Sequence, residues 1–267
     1  MTGASKEEPF DGIMGRPDQD NAAREIIAAI WRSFNPLSLR NRSATVPRMG
    51  ISTEKRFIYF VIPKAGSSTV RSVIDPYRDI KRPTDHFSEH VTIDRFLQSK
   101  HADLASRYFK FSFVRNPYDR LYSGFMQDFF AAYNLPHWEE AKRPIFDTIG
   151  EDFNRYVQDY AAKADVINDA YWICFCPMHK FTHRAGDCMM DWIGRNESLE
   201  ADLRILAGRL DIEPGEIQRR NVRSKSDTPG RHLVNYRKKT IEIVNELYKD
   251  DFEAFGYELA KPSDFAS

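Results

Sequence analysis

An α/β domain, with a sheet flanked by helices, is the fold class that the sequence predicts. Short apolar runs read as buried strands, and between them lie segments whose apolar residues recur at helical spacing. Strands and helices alternate along the chain, the order expected of an α/β sheet. With 267 residues, 42% of them hydrophobic and 13% aromatic, the chain can bury one large core. A single domain over residues 21–267 is therefore expected.

Residues 1–20 are rich in glycine, proline and charge and read as a disordered tail. Residues 21–34 follow as a helix, with Asn21 as its cap and Ile26, Ile27, Ile30, Trp31 and Phe34 on one face that packs on the core. The first strand is placed at 56–62, where 57–62 is an unbroken apolar run, and helical patterns fill 67–75 and 92–105. "YFKFSFV" (108–114) is the second strand, and Pro117 opens a helix over 117–132. A helix is expected at 152–163, a weaker strand at 188–194, and further helices at 198–210 and 236–249. Internal repeats and long linkers are absent from the sequence.

Lysine plus arginine and aspartate plus glutamate number 39 each, so no global field favours nucleic acid or an anionic membrane, and any anion site must be local. No stretch reaches the roughly 18 apolar residues of a membrane span, and the N-terminus lacks the apolar core of a signal peptide. These features lead to the expectation of a soluble, cytoplasmic chain. Three cysteines form no disulfide framework and fit a reducing compartment. Cys174, Cys176, His179, His183 and Cys188 crowd together, but the C-x-C start and irregular spacing match none of the usual zinc patterns. Buried thiols and surface histidines are the expectation, with no metal.

The turn "IPKAGSST" (62–69) follows the first strand and enters a helix. Such a connection presents backbone N–H groups and a helix N-terminus to an anion, with phosphate or sulfate as the expected guest. Lys64 supplies a mobile charge, Gly66 close backbone approach, and Ser67, Ser68 and Thr69 hydroxyl donors. The plainer reading is a strand–helix connection capped by Ser67. A nucleoside triphosphatase loop places its lysine after the final glycine, whereas Lys64 precedes Gly66. The second strand leads to Arg115 rather than to a metal-holding carboxylate, followed by Asn116 and Pro117. Arg115 and Ser123 can grip a second anion by charge-assisted hydrogen bonds, and two anion sites imply a ligand with phosphates at both ends.

"IPKAGSSTVRSVI" and "FVRNPYDRLYSGF" resemble the two nucleotide-binding motifs of sulfotransferases that use 3′-phosphoadenosine 5′-phosphosulfate (PAPS). Arginine and serine eight positions apart, as at 115 and 123, is that family's spacing. The likeness continues through 191–210, "NVRSKS" (221–226) and "LYKDDFEAFGY" (247–257), where it is nearer to the carbohydrate, Golgi-type sulfotransferases than to those acting on small phenols and steroids. It implies a P-loop-like single domain with a mostly parallel central sheet. It also implies that Lys64, Ala65, Gly66, Ser67, Ser68 and Thr69 hold the 5′-phosphosulfate, with Arg71 as a helper, and that Arg115 and Ser123 hold the 3′-phosphate. Arg223 and Lys225 either close over the nucleotide or belong to a solvated basic loop. Glu197, within a "GR-x-E-x-L" segment, is read as a helix-start residue rather than a catalytic one.

Sulfuryl transfer asks for a base and for charge stabilisation on the leaving phosphate. Lys64 suits the second. His86, Glu89 and His90 are the candidate bases. Uronyl 2-O-sulfotransferases carry a catalytic histidine followed by valine between the two motifs, an order that His90–Val91 matches, while other relatives use glutamate, which keeps Glu89 open. The implied partners are the nucleotide donor and a hydroxylated acceptor, a carbohydrate or a small metabolite, without metal and without nucleic acid. Relatives of this branch normally carry a membrane anchor and work in the Golgi lumen, which is the alternative location if the chain is a piece of a longer one. "CPMHKF" (176–181) stands where relatives often have Pro-Gln before an aromatic residue. The competing readings are a nucleotide-binding protein without turnover and a metal-dependent kinase.

Overall fold

Among the residues that the computed structural model describes, 50–80, 90–217 and 230–265, four strands form a central sheet. They are β1 (Gly50–Ser52), β2 (Phe57–Phe60), β3 (Phe109–Val114) and β4 (Trp192–Arg195), and they lie side by side in that order. β1 runs antiparallel to β2, whereas β2, β3 and β4 are parallel. The sheet is thus mostly parallel, as expected. Phe60 pairs with Ser112, and Val114 with Arg195, so the three parallel strands release their chains at one edge of the sheet. The crevice beyond that edge is where open α/β sheets bind ligands.

All four residues of β2 are buried, which is why "FIYF" reads as a continuous apolar run instead of an alternating one. The Tyr59 and Phe111 rings stack with centroids 5.0 Å apart, and Phe113 meets Trp192 edge-on at 5.4 Å. Inside the sheet the Ser112 hydroxyl donates to the Phe60 carbonyl at 2.7 Å.

Seven helices follow among the described residues: α1 (Ser67–Ile74), α2 (Ile93–Leu97), α3 (Pro117–Asn134), α4 (Pro136–Ile149), α5 (Leu199–Leu210), α6 (Lys238–Leu247) and α7 (Lys249–Phe255), besides shorter turns. One apolar core joins the sheet to Val70, Val73 and Ile74 of α1, Phe96 of α2 and the leucine stripe Leu199, Leu203, Leu206 and Leu210 of α5. A second joins α3, α4, α6 and α7 through Leu121, Phe125, Phe129, Phe146, Val244 and Phe252.

The structure corrects several expected boundaries. The helix expected over 92–105 stops at Leu97 and is followed by a 3-10 turn, Ala102–Ser106. The 152–163 helix breaks into an α turn, a π turn over Tyr156–Tyr160 and a 3-10 turn, because Tyr156 is drawn flat onto Phe146 at 5.3 Å while its hydroxyl donates to Asp128. The weak strand at 188–194 begins only at Trp192. Cys188 instead pairs with His183 in a small hairpin whose turn holds Ala185 and Gly186 at positive φ. The 236–249 helix ends at Leu247 and restarts as α7. Strand β1 and helix α4 were not foreseen; Pro144 inside α4 interrupts the helical signal by removing a donor. The expected tail at 1–20 and helix at 21–34 lie outside the described residues.

Candidate active site at the strand ends

Leaving β2, Val61, Ile62 and Pro63 stay buried, and the chain then turns sharply. Lys64 takes a left-handed conformation with φ 65°, uncommon for a residue with a Cβ. Gly66, at φ 87°, is the N-cap of α1. A Cβ at that position would lie 2.8 Å from the Asn196 Oδ1 and 3.0 Å from Leu199, so both the backbone and the neighbours demand glycine. The Gly66 carbonyl accepts from the Thr69 and Val70 amides at 3.0 and 3.2 Å, which starts the helix. The N-cap is Gly66, and among the described residues no side chain caps this N-terminus, so Ser67 is not the cap that the plainer reading gave it. Ser67 and Ser68 are half-buried in the first turn, Ala65 is buried, and Thr69 is buried among the helix contacts. An uncapped helix start with its positive dipole end is suited to an anion. Arg71 turns back along the helix, its Nε donating to the Ser67 carbonyl at 3.2 Å.

The second loop leaves β3 beside the first. Asn116 caps α3, its side-chain oxygen accepting from the Tyr118 and Asp119 amides at 3.0 and 3.4 Å, and Pro117 opens the helix as expected. Arg115 Nη1 donates to the Lys64 carbonyl at 3.3 Å, joining the two loops. On α3, Gln127 accepts from the Lys64 ammonium at 2.9 Å, and half-buried Ser123 lies one helical turn before it. Glu197 does not cap α5, whose N-cap is Ser198. It accepts from the Asn116 amide at 2.6 Å and from the Tyr257 hydroxyl at 3.0 Å, and so ties the exit of β3 to the C-terminal segment. Burial, followed by the Glu197 charge, pushes the Tyr257 phenol well up, which keeps it a donor.

His90 is buried, and its Nδ1 lies 3.0 Å from the carbonyl oxygen of Val61, the residue that follows β2. A neutral imidazole there donates through Nδ1–H, which makes Nε2 the basic nitrogen. His86, Glu89, Arg223 and Lys225 lie outside the described residues.

A family model described as the Sulfotransferase family matches residues 47–258, a span that contains both loops, His90 and the whole sheet. The chain belongs to the sulfotransferase family. It is similar to carbohydrate sulfotransferase 14 of Danio rerio, with 24% identity over 88% of this chain and 68% of the relative. It is also similar to carbohydrate sulfotransferase 12 of Xenopus laevis, 26% identical over 88% of this chain and 64% of the relative, and to carbohydrate sulfotransferase 10 of Mus musculus, 23% identical over 91% and 78%. The chain thus spans about two thirds to three quarters of these relatives. No solved structure matches it. Among the described residues no helix is long and apolar enough to cross a membrane.

In this sulfotransferase α3 is fixed by buried charges that periodicity does not announce. Buried Arg120 donates to the Cys174 and Cys176 carbonyls at 2.9 and 2.7 Å and lies over the Tyr248 ring. Asp119 accepts from the Gly230 and His232 amides at 2.8 and 3.0 Å. Asp128 and Lys142, both fully buried, pair at 2.8 Å; Tyr156 donates to the same carboxylate oxygen at 2.6 Å, and the ammonium sits 3.0 Å from the Trp172 ring centre. Burial drives the Asp128 carboxyl up and the Lys142 ammonium down, each opposed by the other's charge.

The members of the Cys/His set have separate surroundings. Cys174 and Cys176 are buried, and burial pushes the Cys176 thiol up to about 12. His179 pairs with Asp251 at 2.9 Å, His183 lies 2.8 Å from the Thr182 hydroxyl, and Cys188 is exposed. His179 and His183 are thus half-buried rather than surface residues. Gln127, Glu197 and Asn116 are the site residues that sequence reading missed or misread. For Gln127 the available signal was a polar residue one turn after Ser123 on the same helix.

Proposed function

We propose that this sulfotransferase moves a sulfuryl group from PAPS to a hydroxyl of a carbohydrate acceptor, with His90 as base. The observation that carries this reading is the hydrogen bond from Arg115 to the Lys64 carbonyl, which sets a 5′-phosphate loop and a 3′-phosphate loop against one another at the ends of adjacent parallel strands. The fit to the donor rests on the uncapped, glycine-started α1 and on the cations around it. Lys64, Ala65, Gly66, Ser67, Ser68 and Thr69 hold the 5′-phosphosulfate, Arg71 supports their turn, and Arg115 and Ser123 hold the 3′-phosphate. Arg223 and Lys225 are assigned to the nucleotide as well.

In the reaction the acceptor oxygen forms a bond to sulfur as the bond between sulfur and the bridging oxygen breaks. His90 Nε2 takes the acceptor's proton, the Val61 carbonyl orients the ring, and Lys64 stabilises the charge left on the phosphate. The products are a sulfate ester and adenosine 3′,5′-bisphosphate. No metal is needed, because a lysine occupies the place where a metal would stabilise that charge. The carbohydrate acceptor is supported by the names of the relatives, each a carbohydrate sulfotransferase.

Incubation with sulfur-labelled PAPS and a panel of glycans, hydroxylated lipids and small metabolites tests the reading. Label on a glycan is the expected result. Label only on a small metabolite overturns the acceptor class, and label on nothing overturns the transfer.

A further inference from the structure

We infer that Gln127 is a positioning residue for Lys64, holding the ammonium in place before the donor binds and yielding it to the donor's oxygens. The inference rests on the sulfuryl transfer proposed above and adds a residue to it. Among the described residues, the Lys64 carbonyl accepts from Arg115 at 3.3 Å, and its ammonium donates to Gln127 Oε1 at 2.9 Å. The backbone between them is held in a left-handed conformation, so the side chain leaves the loop in a set direction.

The chemistry of the partner matters. An amide oxygen orients an ammonium without itself carrying a counter-charge. A carboxylate in its place would form an ion pair that the donor must break. The helix that carries the amide is well anchored at this point, because the next residue, Asp128, is locked by its buried pair with Lys142 and by Tyr156. Ser123 lies one turn earlier on the same side of α3, so one rigid helix places both the group that meets Lys64 and the group assigned to the 3′-phosphate.

The experiment uses the full chain with Gln127→Leu, Gln127→Glu and Gln127→Asn. Amine modification of Lys64 in the donor-free protein is followed by mass spectrometry, with Lys55 of the same molecules as the internal standard. Loss of the amide in Gln127→Leu should speed modification several-fold, the carboxylate of Gln127→Glu should slow it several-fold, and the shorter Gln127→Asn should behave as Gln127→Leu. With PAPS, Gln127→Leu should lower kcat about tenfold at nearly constant KM, and Gln127→Glu should raise the PAPS KM by about tenfold or more. Unchanged Lys64 modification in all three variants overturns the inference, as does a kcat for Gln127→Leu equal to that of the wild type. If modification shifts as stated while the wild type transfers nothing from PAPS, the contact to Lys64 stands and the proposed reaction falls.

Discussion

Arg115 Nη1 stands 3.3 Å from the carbonyl oxygen of Lys64, so the cation assigned to one end of the donor also holds the backbone assigned to the other. Such a contact, a charged donor on a main-chain oxygen, contributes on the order of 1.5–3 kcal/mol. The contact joins the two loops directly.

Replacing this arginine should therefore cost nucleotide binding at both ends. Adenosine 3′,5′-bisphosphate is expected to raise the melting temperature of the wild type, and Arg115→Ala should lose most of that shift. Arg115→Lys should recover only part, since an ammonium cannot reproduce the fork of a guanidinium. Equal stabilisation of the wild type by ATP would count against a site that reads a 3′-phosphate.

His90→Ala is expected to lower turnover by roughly 10²–10⁴-fold while the affinity for adenosine 3′,5′-bisphosphate changes little. The expectation follows from its anchoring at Val61, just before the loop assigned to the 5′-phosphosulfate, while His90 itself is assigned to no phosphate. Glu89→Ala and His86→Ala are the controls. A fast His90→Ala enzyme together with a slow Glu89→Ala enzyme transfers the role of base to the carboxylate.

The buried ion pair behind Gln127 should govern stability. Asp128→Ala leaves the Lys142 ammonium in the core without its counter-charge and should destabilise by about 3–5 kcal/mol in denaturant titrations. Asp128→Leu combined with Lys142→Met removes both charges and should recover much of that loss. The Asp128 Oδ1 is buried and has no hydrogen-bond partner, so the native pair is not an optimised one. A double variant as unstable as Asp128→Ala would show that the hydrogen bond to Tyr156, and not charge balance, is what matters.

Turnover with PAPS should survive a strong chelator. The sulfuryl group carries less negative charge than a phosphoryl group, and in the proposed mechanism Lys64 takes the part that a metal would otherwise play in stabilising the leaving phosphate. Loss of activity in EDTA with rescue by magnesium or zinc would overturn the metal-free mechanism.

The amino-acid sequence by itself determined the local parts. The apolar runs gave β2 and β3, the order Lys64 before Gly66 separated the first loop from a triphosphatase, Pro117 marked the start of α3, and the Arg115–Ser123 spacing marked the second loop. These features are legible because strand burial, a left-handed turn and a helix start each impose rules within a few residues. Tertiary structure alone decided which distant groups meet. Lys64 meets Gln127 across 63 positions, Arg115 meets the Lys64 carbonyl across 51, and Asn116 meets Glu197 across 81. It also added β1, whose three residues are strand by pairing with β2 on one side and, at Ile51, with Ile80 on the other, and α4, whose internal proline argues locally against a helix. The reason is register: parallel pairing of β2, β3 and β4 brings their ends to one edge, and a sequence pattern carries the period of each strand but not the alignment between them.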